Sequence, residues 1–455
     1  MKKVFNVLDY GAVPGAEVMQ HKAIQAAVDA CFLSGGGEVV IPAGTFRTGG
    51  IRLRSNVTLH LLSGAVLVGS RDPEDYFILD EDTVEPVPED VKSRGPVPDG
   101  RFESVCRKYA GRWYNGLIRA YKAEHIAVIG DKGSVIDGSN CYDEHGEEFY
   151  RGPHGISMIR CRHVVLRGYT MQNSSNWPEC IWHSSDILCE NVVNLAGHDG
   201  IHITGCDDVI IRRCAFYTGD DCVAGFDNRN VLVEDCILNT ACSAFRFGGT
   251  NMLATRCRIY APARYSFRGG MTTEEKKAGV NANDAAGYTQ RHNMLAIFTY
   301  YADYSSKIRY RPGNVVIRDC TVDGADRFLC FNFSGNSIWQ CNKPLCDITF
   351  EHIKAKNLSE PLYLYGDAAC PVSLTLSDVT ASFRPDRGDV TFIHAGNYKS
   401  ITLEDVTIRN NHAPQLIKSW NAPGKGRVIV KNVSCHLDEK DFVSHPEEPF
   451  YCQPI

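Results

Sequence analysis

No run of apolar residues in this chain approaches the roughly 20 needed to cross a bilayer as a helix, so no membrane partner is expected. A basic surplus is also missing. Lys and Arg number 48 against 54 Asp and Glu, and the resulting net charge of −6 argues against a nucleic-acid partner, which asks for a basic footprint. The opening, MKKVFNVLDYGAV, has two lysines but no apolar core behind them, so it does not read as a secretory signal. Cysteine is plentiful at 19, but the count is odd and the residues are spread along the chain. That pattern speaks against a secreted disulfide framework, and the lack of any pair of C-x-x-C motifs speaks against a metal site. The expectation is a cytoplasmic protein that uses no metal or cofactor. At 44% hydrophobic and 22% charged, the 455 residues suit a globular protein with a large core.

A repeat organises that core. HVVLRGYTM from His163, DILCENVVN from Asp186, DVIIRRCAF from Asp208, NVLVEDCIL from Asn230 and NMLATRCRI from Asn251 align on their first residues. Further copies begin at Asn314, Asp347, Ser373, Ser400 and Arg427, with weaker ones at Asn56 and His125. The four starts from Asp186 to Asn251 are 22, 22 and 21 residues apart. Within a copy, apolar residues recur one, three, six and often eight places on. That is period-two alternation with one turn-like break, the mark of short strands with one buried face. A unit so short cannot close a core alone, so the copies stack. The fold class expected is all-β: a right-handed parallel β-helix of roughly 10–12 coils. Cys214, Cys236, Cys257 and Cys320 share one position and should form an internal ladder of packed thiols.

A single domain over 1–455 follows, with a cap region over 1–55. HKAIQAAVDACFLSG, from His21 to Gly35, has helical periodicity and suits a cap on the open end of a solenoid. Two stretches leave the rhythm, 71–112 and 264–310, and are expected as long loops beside the cleft. The second should hide one strand in NMLAIFTYY. Tyr300, Tyr301 and Tyr304 in it are candidates to wall a subsite.

Counting twelve and thirteen places from each start gives His198 and Asp199, then Asp220 and Asp221, then Cys242 and Ser243, then Ala263 and Arg264. One coil earlier the count gives Ser175 and Asn176, beside Trp177. Asp199 is therefore expected next to Asp221, with Asp220 beside them. Clustered carboxylates raise one another's pKa, so one stays protonated while others ionise. Glycoside hydrolysis needs that division between an acid and a base. A calcium-binding or solvated polar ladder would use the same residues.

At this point the sequence resembles glycoside hydrolase family 28, the polygalacturonase group. FNVLDYGA, AIQAAVDAC, GSVIDG and NSSNWPECIWHSSDILCENV carry the likeness, with GHDGIHI where the family has N-T-D-G-I and TGDDCVA matching G-D-D-C. The resemblance implies inversion at the anomeric carbon, Asp220 as general acid, and Asp199 with Asp221 activating water. It also shows departures. NTACSAFRFGG stands where the family has G-H-G, so Ser243 or Cys242 takes the place of a histidine. The family's R-I-K, which grips a uronate carboxylate, has no clean match. Arg246, Arg264 and Arg268 are the candidates to replace it, since an arginine fork binds a carboxylate bidentately. His198, His202 and Trp177 are candidate sugar contacts. The function expected is an inverting, exo-acting hydrolase of pectin-like oligosaccharides. A calcium-dependent polysaccharide lyase and a non-catalytic glycan-binding solenoid are the alternatives.

Overall fold

The structure is a computed structural model, and it describes residues 3–76, 111–286, 290–300, 308–334 and 343–448. Most of the expected 71–112 loop, and Tyr301 and Tyr304, lie outside the described residues. The fold is a right-handed parallel β-helix. Its packing divides the chain into two compact units, Met1–Asp220 with Arg264–Arg291, and Asp221–Ala263 with His292–Ile455.

In the first unit each coil contributes strands to three parallel ladders. One runs Gly37–Ile41, Val57–Leu61, Glu124–Gly130, Arg162–Arg167, Ser185–Glu190 and Asp207–Arg212. A second runs Gly44–Thr48, Ala65–Gly69, Val135–Asp137, Thr170–Gln172, Val193–Ala196 and Ala215–Thr218. The third holds Gly116–Tyr121, His154–Ile159, Glu179–Trp182 and Ile201–Thr204. The repeat register holds: Val164 pairs with Ile187 and Ile187 with Val209, all buried. Each such fully buried side chain contributes on the order of 1.5–3 kcal/mol.

The second unit continues the pattern. Val231, Met252, Val315, Ile348, Leu374, Ile401 and Val428 stand in one column. Several of the residues that open coils are Asp or Asn where the chain is left-handed: φ is +54° at Asp186, +57° at Asn230 and +57° at Asn251. Asn and Asp enter that region more easily than other non-glycine residues. The amides then serve twice, since Asn314 donates to Asn251 and Asn251 to Asn230, at 3.0 and 3.1 Å. The thiols pack as expected. All the described cysteines are free, and the Cys257 N–H points at the Cys320 sulfur, 3.4 Å away.

The predicted helix forms over His21–Leu33 and buries Ile24, Ala27, Val28 and Cys31 against the first strands of its unit. The 264–310 excursion is divided. Residues 264–291 form a strap on the first unit, with a short helix at Thr273–Ala278 closed by a Thr272–Glu275 capping box. The hidden strand appears as Met294–Tyr300 in the second unit, between Ser243–Thr255 and Ala325–Asn332. Among the described residues no helix is long and apolar enough to cross a membrane.

Candidate active site

In the first unit the strand Ile201–Thr204 places His202 beside Cys180 of the preceding coil. Its imidazole Nδ1 is hydrogen-bonded to Asp199 Oδ2 at 2.8 Å. The ring also stacks on Trp177, with centroids 3.5 Å apart and planes 4° from parallel. Trp177 in turn meets Trp113 edge-on at 5.0 Å. Asp199 is buried, and a bond fixed on one side by a stacked ring gives its carboxylate one orientation. The Trp177 ring is packed against the side chains of His202, Trp113 and His154.

Asp220 ends the first unit, also buried, with Arg151 Nη2 4.0 Å from its Oδ2. Arg151 belongs to a group of cations. Its Nε donates to Glu148 at 2.8 Å, and Nη1 to Asn176 at 3.3 Å. Burial opposes its charge, but Glu148, Tyr150, Glu147 and Asp220 outweigh that and hold it well above the usual arginine range. The strap adds Arg268, which donates to Asn140 at 2.8 Å and to the Ser174 carbonyl at 3.1 Å. Burial draws Arg268 down to about 10, with Arg151 adding to the effect and Tyr150 opposing it. Lys276 stands with its ammonium 3.8 Å from the centre of the Tyr150 ring, and burial lowers it as well. Neither Arg268 nor Lys276 pairs with a carboxylate among the described residues. His198 faces this group at 1% exposure, with neither ring nitrogen hydrogen-bonded. Burial, then Arg151, Arg268, Lys276 and His154, push it well below the usual histidine range, so it is neutral.

The strap lies close enough to explain one motif glycine. A Cβ on Gly219, in TGDD, would stand 2.0 Å from the Ser266 carbonyl oxygen. Tyr265, Met271, Ala282 and Ala285 anchor the strap through a small apolar cluster with Leu195 and Tyr217.

The second unit opens on Asp221, which is fully buried. Its Oδ1 accepts the Ser243 N–H at 2.9 Å, and Arg246 Nη1 lies 3.6 Å from Oδ2. Ser243 is thus beside Asp221 as counted, but it serves through its backbone. Its hydroxyl is engaged with Thr299, 2.9 Å away.

Three expectations change. Ser243 pairs with Ala296, so the strand Met294–Tyr300, and not the segment containing Arg264, supplies the following coil. Arg264 is exposed and lies over the Tyr217 and Tyr265 rings at 5.7 and 5.5 Å. Tyr300 does not wall a subsite: it is buried, its ring meets Phe331 edge-on, and its hydroxyl donates to the Pro344 carbonyl. Residues missed by the count are Trp113, Tyr150, Arg151, His154 and Lys276. The run YRGPH, 150–154, did carry a signal, since it interleaves aromatic and basic residues.

Fold and site together define a class: a parallel β-helix bearing buried carboxylates held by histidine, arginine and backbone N–H groups. The comparisons narrow it. The family described as glycosyl hydrolases family 28 matches residues 103–244, a segment that contains Asp199, Asp220 and Asp221. A probable polygalacturonase of Vitis vinifera is 27% identical over 230 residues, 48% of this chain and 43% of that protein. An exo-poly-alpha-D-galacturonosidase of Dickeya chrysanthemi is 45% identical over 74 residues, 16% of this chain and 12% of that protein. The chain therefore spans less than half the length of either relative. A hyperthermoactive exopolygalacturonase from Thermotoga maritima shares the fold, with a TM-score of 0.61 at 17% identity, over 84% of this chain and 87% of that one. Residues 103–244 are thus similar to glycosyl hydrolases family 28, and the chain shares the fold of the exopolygalacturonase.

Proposed function

We propose that the protein is an exo-acting, inverting glycoside hydrolase that removes the end unit of a galacturonan-like acidic oligosaccharide. Asp220 protonates the glycosidic oxygen as the bond to the anomeric carbon breaks. Asp199 and Asp221 take a proton from the water that attacks the opposite face. The observation that carries this reading is the set of three buried aspartates inside the matched segment, each with its own kind of partner. His202 orients Asp199, while the Ser243 N–H and Arg246 hold Asp221 by charge-assisted contacts.

The surplus cations support an acidic substrate. Among the described residues neither Arg268 nor Lys276 makes an ion pair, although Glu148 acts on Lys276 through its charge, and both cations act on the neutral His198. A uronate carboxylate there would supply the counter-charge, so the strap takes over the work of the family's R-I-K. The similarity to two exo-acting enzymes supports removal of end units.

The test is to follow fresh products by NMR as wild type and Asp220→Asn act on oligogalacturonates. The expected result is a released sugar with inverted anomeric configuration, with kcat lowered about 10²–10⁴-fold by the substitution. Retained configuration, or an Asp220→Asn protein as active as wild type, would overturn the role assignment.

A further inference from the structure

The second unit carries a register column that the hydrolytic reading does not use; Thr299, Cys330 and Tyr363 in it are buried, and His394 and Lys418 are half-buried. From Arg246 it runs in register through Thr299, Cys330, Tyr363 and His394 to Lys418. Strands lie about 4.8 Å apart, so Lys418 stands on the order of 24 Å along the column from Arg246. Near Arg246 the column carries the small side chains of Thr299 and Cys330. Beyond them it becomes aromatic and basic.

There Arg327 lies over the Tyr363 ring, its guanidinium carbon 4.5 Å from the centroid. Arg327 is 8% exposed, and its Nε makes no hydrogen bond. Its nearest carboxylate, Glu360, is 3.8 Å away and is engaged at 2.5 Å by Arg387. Tyr363 meets the His394 ring at 5.8 Å, and His394 meets Trp420 edge-on at 5.5 Å. The Trp420 indole N–H is spent on the Glu448 carbonyl. Lys418 has no carboxylate within ion-pairing distance among the described residues. Burial, then Lys418 and Arg327, hold His394 down to about 4, against a smaller opposing pull from Glu448. The imidazole is therefore neutral and can both donate and accept.

A nine-tenths-buried guanidinium with an unused N–H, a neutral imidazole and an unpaired ammonium on an aromatic floor together fit a carboxylated sugar. The faces of a pyranose ring suit the aromatic groups, and its carboxylate suits the cations. We propose that Arg327, Tyr363, His394 and Lys418 form a second recognition site for a carboxylate-bearing sugar unit. The ligand is a distal unit of the same acidic chain, whose end is cleaved at the site that includes Asp221. This rests on the hydrolytic reading, and it makes the enzyme a length sensor: a short chain held near Asp221 does not reach the second site.

The experiment compares digalacturonate with hexagalacturonate, using wild type, Lys418→Ala and His394→Phe, with thermal melts confirming that both variants fold. Lys418→Ala is expected to raise KM for the hexamer about tenfold, a loss of roughly 1.4 kcal/mol, while KM for the dimer moves less than twofold. Equal effects on both lengths, or none on either, would overturn the proposal. Calorimetric binding of the hexamer to wild type and Lys418→Ala separates this failure from failure of the hydrolytic reading. If neither sugar is turned over, hexamer binding weakened by Lys418→Ala still supports the second site. Absence of hexamer binding to wild type removes it.

Discussion

His202 answers to two demands at once, a hydrogen bond to Asp199 and a face-to-face contact with Trp177. Substitution can separate them. His202→Phe keeps a flat ring on the indole and loses the bond to Asp199. The expected result is a kcat lower by about tenfold to a hundredfold with little change in Tm, since one hydrogen bond to a charged group contributes about 1.5–3 kcal/mol. His202→Ala should add a loss of stability from the vacated stack. Steady-state kinetics beside thermal melts decide it, and a His202→Phe enzyme with wild-type kcat would strip the histidine of its orienting role. Some of this was legible in the sequence. The count of twelve and thirteen places put Ser243 beside Asp221, and GHDGIH set His202 three residues after Asp199. Which partner each side chain takes was not legible, because the choice depends on rotamers. Ser243 shows the difference: register fixed its place, yet its N–H and not its hydroxyl meets the carboxylate.

The strap carries Arg268 and Lys276, the two cations that the proposed function assigns to the substrate, and the sequence hid it for a physical reason. Period-two alternation reveals strands that share a core. Residues 264–291 instead fold back over finished coils, and nothing in their local pattern says which coil they will meet. Arg268 was found from its distance to a motif, whereas Lys276 was not. Lys276 reaches the Tyr150 ring through a helix of six residues, Thr273–Ala278, that ends at Gly279 with φ +66°. A left-handed C-terminal residue favours glycine. A Cβ on Gly279 would also stand 2.1 Å from the Arg71 guanidinium, which donates to the neighbouring Ala278 carbonyl. Gly279→Ala is therefore expected to cost about 1 kcal/mol locally and to displace Lys276. KM for an acidic oligosaccharide should rise several-fold, with kcat affected less. Lys276→Met, which keeps the alkyl stem over the ring and removes the charge, should reproduce the KM change without the stability change. If Lys276→Met leaves KM unaltered, the ammonium plays no part in binding the substrate.

At the scale of the whole molecule, the buried ionisable groups of the first unit give stability two opposing pH slopes. Glu179 lies inside the coils with no exposure; its carboxyl accepts from the Tyr169 hydroxyl at 3.0 Å and from Asn194 at 2.5 Å. Burial raises Glu179 to about 8, even though Asn194 and Tyr169 pull it down. The folded chain thus keeps a proton that the unfolded chain releases near its ordinary value of 4.5. Stability from this group is complete below pH 4.5 and is lost as pH rises toward about 8. His198 acts in the other direction. The folded state holds it neutral while the unfolded chain takes up a proton below the ordinary 6.5, so its contribution is present above that pH and is lost as pH falls. Asn194 also donates to the Gly200 carbonyl, next to Asp199, so the state of Glu179 bears on the site as well as on the core. Glu179→Gln makes the side chain neutral at every pH. Urea unfolding of both proteins from pH 5 to 8 should show the wild type losing stability relative to the variant as pH rises, by several kcal/mol across the range. A constant difference between the two would mean that Glu179 is ionised throughout, and that the core carries a charge its two hydrogen bonds suffice to hold.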